Sequence, residues 1–447
     1  MNMAKTKNKM TKKTKKTQIE SEQNVFPEDF MWGASTAAHQ VEGNTYNQWT
    51  VWELQNARRL AKESEKTAGG WPVWDEVKQQ AQTPENYLSG VGVKHYENYK
   101  LDFKTAKELN LNSFRFGVEW SRIEPEEGVW NAEALKHYSE YIQDLLDQGI
   151  VPVLNIWHWT MPVWFTDKGA FEHSKNIVYF ERFVRKLCSE LPIKKLKYII
   201  TLNEPNVYAS FGYATGEWPP NKSSYLTFLK VYYNLAKAHK AAYKVLKSHK
   251  KSLQVGVASQ LANIQPKRPH NLFDNVSTWW MRYFWNWWFL NRVNKTQDFV
   301  GFNYYFTDYY TSKRVKGEKK PLLYIDNPTL PKNDLGWYME PEGLHALITR
   351  VWDHYKKPIL VTENGLADRN DTHRKWWIEE TIIAMERALS EGVDVKGYFH
   401  WSLLDNFEWA YGWWPEFGLV HVDRKTMKRT VRPSAKYYAE EIAKRSK

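Results

Sequence analysis

A chain of 447 residues with 42% hydrophobic content can bury a large core, and closed α/β barrels reach this length as single units. Its formal charge of +12 is uneven: Lys5, Lys7, Lys9, Lys12, Lys13, Lys15 and Lys16 stand in the first 16 residues, which hold no acid, and removing those seven charges leaves +5. The composition therefore gives no basic nucleic-acid-binding body, no run of 18 apolar residues to span a membrane and, with Cys188 as its single cysteine, no internal disulfide, which points to a reducing, cytoplasmic compartment.

Residues 1–24 read as a disordered basic arm, a solubilising extension or a weak polyanion contact, with no apolar region after it to make a secretory signal. Order begins near Val25-Phe26-Pro27, and residues 25–447 read as one catalytic domain. Eight short β-branched or aromatic runs follow, at 30–35, 113–118, 151–157, 198–203, 254–258, 298–304, 359–363 and 395–401. Helical periodicity separates them, clearest over 132–148, 178–191, 226–248 and 375–392. Strands alternating with helices pair in parallel through crossovers. Eight such units predict an α/β fold, a single (β/α)8 TIM barrel with long βα-loops, rather than an open sheet. Residues 56–90 read as a long insertion after the first strand. Residues 279–288, Trp-Trp-Met-Arg-Tyr-Phe-Trp-Asn-Trp-Trp, read as a buried helix or a wall of the substrate cleft, with a membrane-surface patch as the alternative.

Unusual polar or aromatic residues stand where the runs end: Arg115, His158, Asn203 with Glu204, Asn303 with Tyr305, Glu363 and Trp401. In a (β/α)8 barrel these ends converge on the face where chemistry sits. Two strings are the most informative, Thr201-Leu202-Asn203-Glu204-Pro205 and Val361-Thr362-Glu363-Asn364-Gly365. Each is a buried-strand run that delivers an Asn/Glu pair and is broken at once by Pro or Gly. Either string alone is an ordinary turn. Together they supply the two carboxylates needed to cleave a glycosidic bond by acid/base and nucleophilic catalysis. The 24 Trp residues offer flat faces that stack on sugar rings, although most of the aromatic residues belong to a core. No His/Cys ligand spacing and no Gly-rich phosphate loop is present, so neither a metal nor a cofactor is expected.

With these residues in view the chain resembles the retaining β-glucosidase/β-glycosidase family, glycoside hydrolase family 1, over roughly residues 26–440. The resemblance starts at Phe30-Met31-Trp32-Gly33-Ala34-Ser35-Thr36-Ala37 and Gln40-Val41-Glu42-Gly43. It runs through Phe114-Arg115, Glu119-Trp120-Ser121-Arg122-Ile123, the two Glu strings and Phe302-Asn303-Tyr304-Tyr305. It closes at Trp401-Ser402-Leu403-Leu404-Asp405-Asn406-Phe407-Glu408-Trp409. His158-Trp159-Thr160-Met161-Pro162, with an uncharged third residue, is nearer the archaeal-type members, and His39 stands where an aromatic residue is commoner.

The resemblance implies Glu204 as general acid/base and Glu363 as nucleophile. It implies Arg115, Asn203, Asn303 and Tyr305 as their support, with Asn203 on the sugar 2-hydroxyl and Arg115 and Tyr305 on the nucleophile. Gln40, His158 with the following Trp159, Glu408 and Trp409 match the grip on the nonreducing sugar, Trp401 the platform beneath its ring, and Trp337 the leaving-group side. A carboxylate at position 408 would repel a 6-phosphosugar. The implied activity is that of a retaining exo-β-glycosidase, a β-glucosidase with β-galactosidase activity alongside. β-Mannosidase, a transglycosidase on the same site and a non-enzymatic carbohydrate-binding protein are the alternatives. The expected partner is a small β-glycoside or oligosaccharide, with no nucleic acid and no membrane.

Overall fold

Each of the eight runs forms a strand in the computed structural model, which describes residues 25–311 and 330–446; the basic arm of residues 1–24 lies outside the described residues. The strands are β1 (Met31–Ser35), β2 (Ser113–Gly117), β3 (Val151–Trp157), β4 (Tyr198–Asn203), β5 (Gln254–Gln260), β6 (Val300–Tyr304), β7 (Ile359–Asn364) and β8 (Val395–Trp401). Each pairs in parallel with its neighbours in sequence, and β8 closes on β1 through Met31 opposite Gly397 to Ser35 opposite Trp401. The expected (β/α)8 barrel is therefore the fold. The strands read as nearly continuous apolar runs because both of their faces are covered. Met31, Val153, Tyr198, Ile200, Phe299, Leu360 and Phe399 fill the lumen, while Ile199, Val255, Val300, Val361 and Val395 face the surrounding helices.

The helices start where local chemistry predicts. Asn131 caps Ala132–Asp147 by accepting from the Ala134 amide at 3.0 Å, and Ser224 caps Tyr225–His249 in the same way. Ile177–Glu190 and Arg374–Ser390 likewise fall within two residues of their sequence-based bounds. The insertion after β1 is helical, with Gln48–Ala68 opened by a reciprocal capping box between Asn47 and Thr50, followed by Trp74–Ala81.

Two ladder slips aim the strand ends. The β4–β5 register shifts between Ile200 and Asn203, and the β6–β7 register between Phe302 and Asn303. A bulge re-aims the side chain beyond it, and in both strands the residue so placed is an asparagine of the site.

The aromatic run 279–288 is divided among three environments, which corrects the reading of it as one buried helix or cleft wall. Trp288 is buried and stacks on Tyr232 with centroids 4.5 Å apart, and Trp285 reaches the central cavity. Trp279, Trp280 and Phe284 are exposed. The split follows from the backbone: the helix Leu272–Arg282 widens into a π-turn at Tyr283–Trp287 before Trp288–Val293, which rotates the face that packs on the barrel. Among the described residues no helix is long and apolar enough to cross a membrane.

Candidate active site

The C-terminal ends of the strands surround a cavity of about 1040 Å3. Glu204 follows β4 with left-handed backbone angles (φ 41°, ψ 59°), and Pro205 opens the next helix at once. Trp159 and Trp409 on the same rim also carry positive φ, 74° and 50°. Each such residue costs about 1–3 kcal/mol, and such strain concentrates where side chains must be aimed.

Beneath the cavity lies a connected network. Buried Arg115, from β2, donates Nη1 to Glu363 Oε1 and Nη2 to Asn203 Oδ1 at 2.6 Å. The Tyr305 hydroxyl donates to the other oxygen, Glu363 Oε2, at 2.6 Å. Asn303 Nδ2 donates to Glu204 Oε1 at 2.7 Å and to Asn203 Oδ1 at 3.2 Å. Thr362 donates to Asn303 Oδ1 at 2.6 Å, which fixes the direction of that amide. Asn203 Nδ2 lies 3.0 Å from His158 Nε2, and its carbonyl accepts from the Trp159 indole at 2.9 Å.

The two carboxyls meet opposite environments. Glu363 has an Arg and a Tyr donor, one on each oxygen. Burial, and then the negative charge of Glu363, raise the Glu204 pKa well above the ordinary carboxyl range, against the opposing bond from Asn303. Burial followed by the Arg115 charge holds His158 well below the usual imidazole range, so it is a neutral ring.

At the far wall Gln40 Nε2 donates to Asn406 Oδ1 at 2.9 Å and to the Phe407 carbonyl at 2.8 Å, which leaves its Oε1 without a partner. Glu408 Oε2 is also buried and unpartnered, and burial together with the Glu363 charge pushes Glu408 up to about 8. Two buried, unsatisfied acceptors facing one cavity suit a ligand rich in hydroxyl donors. Trp401 lies parallel to His158 with centroids 6.0 Å apart, and Trp409 packs against Trp159 at 4.7 Å. His39 stacks on Trp409 at 5.5 Å while its Nε2 pairs with Glu53 at 2.8 Å, which accounts for an unusual histidine there: it braces the tryptophan.

The sequence model described as Glycosyl hydrolase family 1 matches residues 22–295 and 289–447. The chain belongs to glycosyl hydrolase family 1. It is 30% identical to β-glucosidase A of Acetivibrio thermocellus, over 94% of this chain and 98% of that protein. It is also 30% identical to the β-galactosidase of Sulfolobus acidocaldarius, over 93% and 94%. Among solved structures, the β-glycosidase from Pyrococcus horikoshii superposes with a TM-score of 0.79 at 32% identity, covering 94% of this chain and 95% of that one. The Thermotoga maritima β-glucosidase in complex with glucoimidazole gives 0.81 at 28%, covering 95% and 99%. As a family 1 member the protein is a glycoside hydrolase acting on O-glycosyl bonds.

In this family 1 barrel all the residues singled out in the sequence come together. Gln40, His158, Trp159, Glu204, Tyr305, Trp337, Glu363, Trp401, Glu408 and Trp409 line the cavity. Arg115, Asn203 and Asn303 hold its floor. Met281 and Trp285 also line the cavity, as the cleft-wall reading of residues 279–288 expected for part of that run, whereas sequence reasoning missed Phe306 and Asp308. Trp285 is oriented by a hydrogen bond from its indole to Gln260 Oε1. The dense Trp run was the available signal for it. Asp308 sits on Thr307–Tyr310, a strand paired with Asn263–Pro266 outside the barrel, and burial pushes it up to about 7. Asp405, Glu416 and His421 are close enough together to hold a cation. Arg432 occupies that role, donating to Asp405 Oδ1 at 2.8 Å and Glu416 Oε2 at 2.5 Å.

Proposed function

We propose that this family 1 hydrolase is a retaining exo-β-glycosidase, a β-glucosidase with β-galactosidase activity alongside, working by double displacement. Glu363 attacks the anomeric carbon while Glu204 protonates the leaving oxygen. Glu204 then removes a proton from water, which attacks the glycosyl-enzyme and releases the sugar. The observation that carries this reading is the unequal treatment of two carboxyls in one network. Glu363 is held by a cation and a phenol, and Glu204 is buried next to a like charge that keeps its proton on.

Asn203 binds the 2-hydroxyl, a contact that strengthens as oxocarbenium character develops; its fixing by Arg115 and its reach to His158 support this role. The free acceptors of Gln40 and Glu408 take hydroxyl donors from the outer edge of the sugar, and Trp401 lies against its ring. Among the described residues no cation offsets the burial and the Glu363 charge that raise Glu408, so that end of the cavity suits a neutral sugar and not a phosphorylated one. Trp337, with Phe306 at 5.4 Å, walls the leaving-group side. A cytoplasmic location fits a buried, lone Cys188.

Azide tests the assignment through stereochemistry. Glu363→Gly should lose turnover of a nitrophenyl β-glucoside and regain it with azide, which enters from the vacated face and gives the α-glycosyl azide. Glu204→Ala, on a substrate with a good leaving group, should give the β-azide by way of the covalent intermediate. The same anomer from both variants would remove the assignment.

A further inference from the structure

The helix Leu272–Arg282 and the turn after it carry a stripe that the barrel does not cover. Leu272 is 73% exposed, Trp279 58% and Trp280 50%, and Phe273, Val276 and Phe284 are exposed beside them. Their spacing, one or two residues per turn over three turns, puts them on one face. The opposite face is anchored: Asp274 and Thr278 are buried, and Arg268 donates to both oxygens of Asp274 at 2.8 and 2.9 Å. The exposed rings stack, Trp279 on Tyr283 at 6.2 Å and Trp280 on Phe284 at 5.8 Å. An exposed patch of several large apolar side chains on a soluble fold marks an interaction surface.

The same segment sends Met281 and Trp285 into the cavity wall, so the stripe lies at the cavity mouth. Tyr225 and Leu226, also exposed, open the helix that follows β4 and belong to the same end of the barrel.

We propose that this face docks on the surface of an anionic phospholipid bilayer, with the cavity opening beside the interface. Charge selects this occupant over a second copy of the chain. Among the described residues no exposed acidic side chain shares the stripe, since Asp274 is buried and bound by Arg268, and the chain carries a formal +12, of which +5 remains outside its first 16 residues. Two copies would bring like charges together, whereas anionic headgroups attract them. Trp, Phe and Leu beside basic residues form the face that lies in a headgroup layer without spanning it. The expectation of no membrane partner rested on the absence of a span, which a surface-lying helix does not need. The inference does not depend on which bond the cavity cleaves.

The test is co-sedimentation of the full chain with vesicles of phosphatidylcholine and phosphatidylglycerol, alongside the triple variant Trp279→Ser, Trp280→Ser, Phe284→Ser. Both proteins carry the basic arm, so the comparison isolates the stripe. The expected result is at least a tenfold lower vesicle partition for the variant, with its hydrolysis of a soluble nitrophenyl β-glucoside unchanged as proof of folding. Equal partition of the two proteins overturns the proposal, as does no sedimentation of the wild type above a vesicle-free control. Sedimentation velocity showing a wild-type dimer that the substitutions dissolve would assign the face to a second copy instead and would also overturn it.

Discussion

Tyr305→Phe removes one oxygen from the site and should change the kinetics in a particular way. The phenol donates to Glu363 Oε2 at 2.6 Å, and Tyr305 is buried, so Phe fits the same space. A hydrogen bond to a charged group contributes about 1.5–3 kcal/mol. On the proposed mechanism it is fully present while Glu363 is a carboxylate and is weakened once that oxygen set becomes an ester in the glycosyl-enzyme. Deleting it therefore stabilises the intermediate relative to the free enzyme and to the second transition state. With a dinitrophenyl β-glucoside, whose first step is fast, kcat should fall by about 10- to 150-fold. KM should fall with it, and kcat/KM should hold nearly constant. Rapid mixing should show a burst of dinitrophenol equal to the enzyme concentration, and intact-protein mass should show the glycosylated chain. Equal losses in kcat and kcat/KM without a burst would refute the reasoning, because the phenol would then act only in the first step.

Burial and the neighbouring Glu363 charge hold the Glu204 proton on, so kcat/KM should fall as pH rises through its elevated folded pKa. Asn303→Ala, which removes the opposing bond, should move that alkaline limb upward; a downward movement would contradict the bond's direction. Glu408, raised from 4.5 to about 8, keeps a proton in the folded chain that the unfolded chain releases, so its burial destabilises the protein progressively as pH rises from about 5 to 8. Melting curves of Glu408→Gln should therefore gain on the wild type across that window, and a constant difference would count against the shift. His421 is raised to about 9 by Asp405 and Glu416, so its stabilising contribution is complete below about 6.5 and lost through pH 9. His421→Ala should accordingly cost more melting temperature at pH 6 than at pH 9.5. Trp285→Ala, which removes an aromatic wall from the leaving-group side, should raise KM for aryl β-glucosides by about 5- to 30-fold, in keeping with about 1–2 kcal/mol of lost apolar contact, and leave methyl β-glucoside nearly unaffected.

The barrel was legible because its signals are local. Eight apolar runs, six of them ending in a residue too polar or too aromatic for a plain core strand, predict eight parallel strands with their ends gathered together, and β1 to β8 are those runs. The floor of the site was legible for the same reason, since Asn203, Glu204, Asn303 and Glu363 each sit at a strand's last residue or next to it. The outer wall was legible only as a cleft-wall reading of the whole run 279–288, without its residues. Met281 and Trp285 reach the cavity only because a helix and a π-turn after β5 set their angle, and Asp308 only because Thr307–Tyr310 pairs with a strand outside the barrel. Both depend on pairing and rotation between segments, which the spacing of residues along the chain does not encode.

The proposed division of labour between the two glutamates follows from a charge count in a closed space. Glu204, Glu363 and Glu408 all face the cavity, and the guanidinium that meets this set is Arg115. One cation compensates one carboxylate. Arg115 reaches Glu363 because β2 and β7 present their ends across the floor, while the slip at Asn303 turns an amide, and not a cation, toward Glu204. The remaining two carboxyls are pushed toward their neutral forms by burial and by the charge on Glu363. On the proposed mechanism the site then holds one carboxylate to act as nucleophile and one proton-bearing acid before any sugar enters. Arg115→Met should remove that distinction and not merely weaken it, and the alkaline limb set by Glu204 should be lost along with the rate.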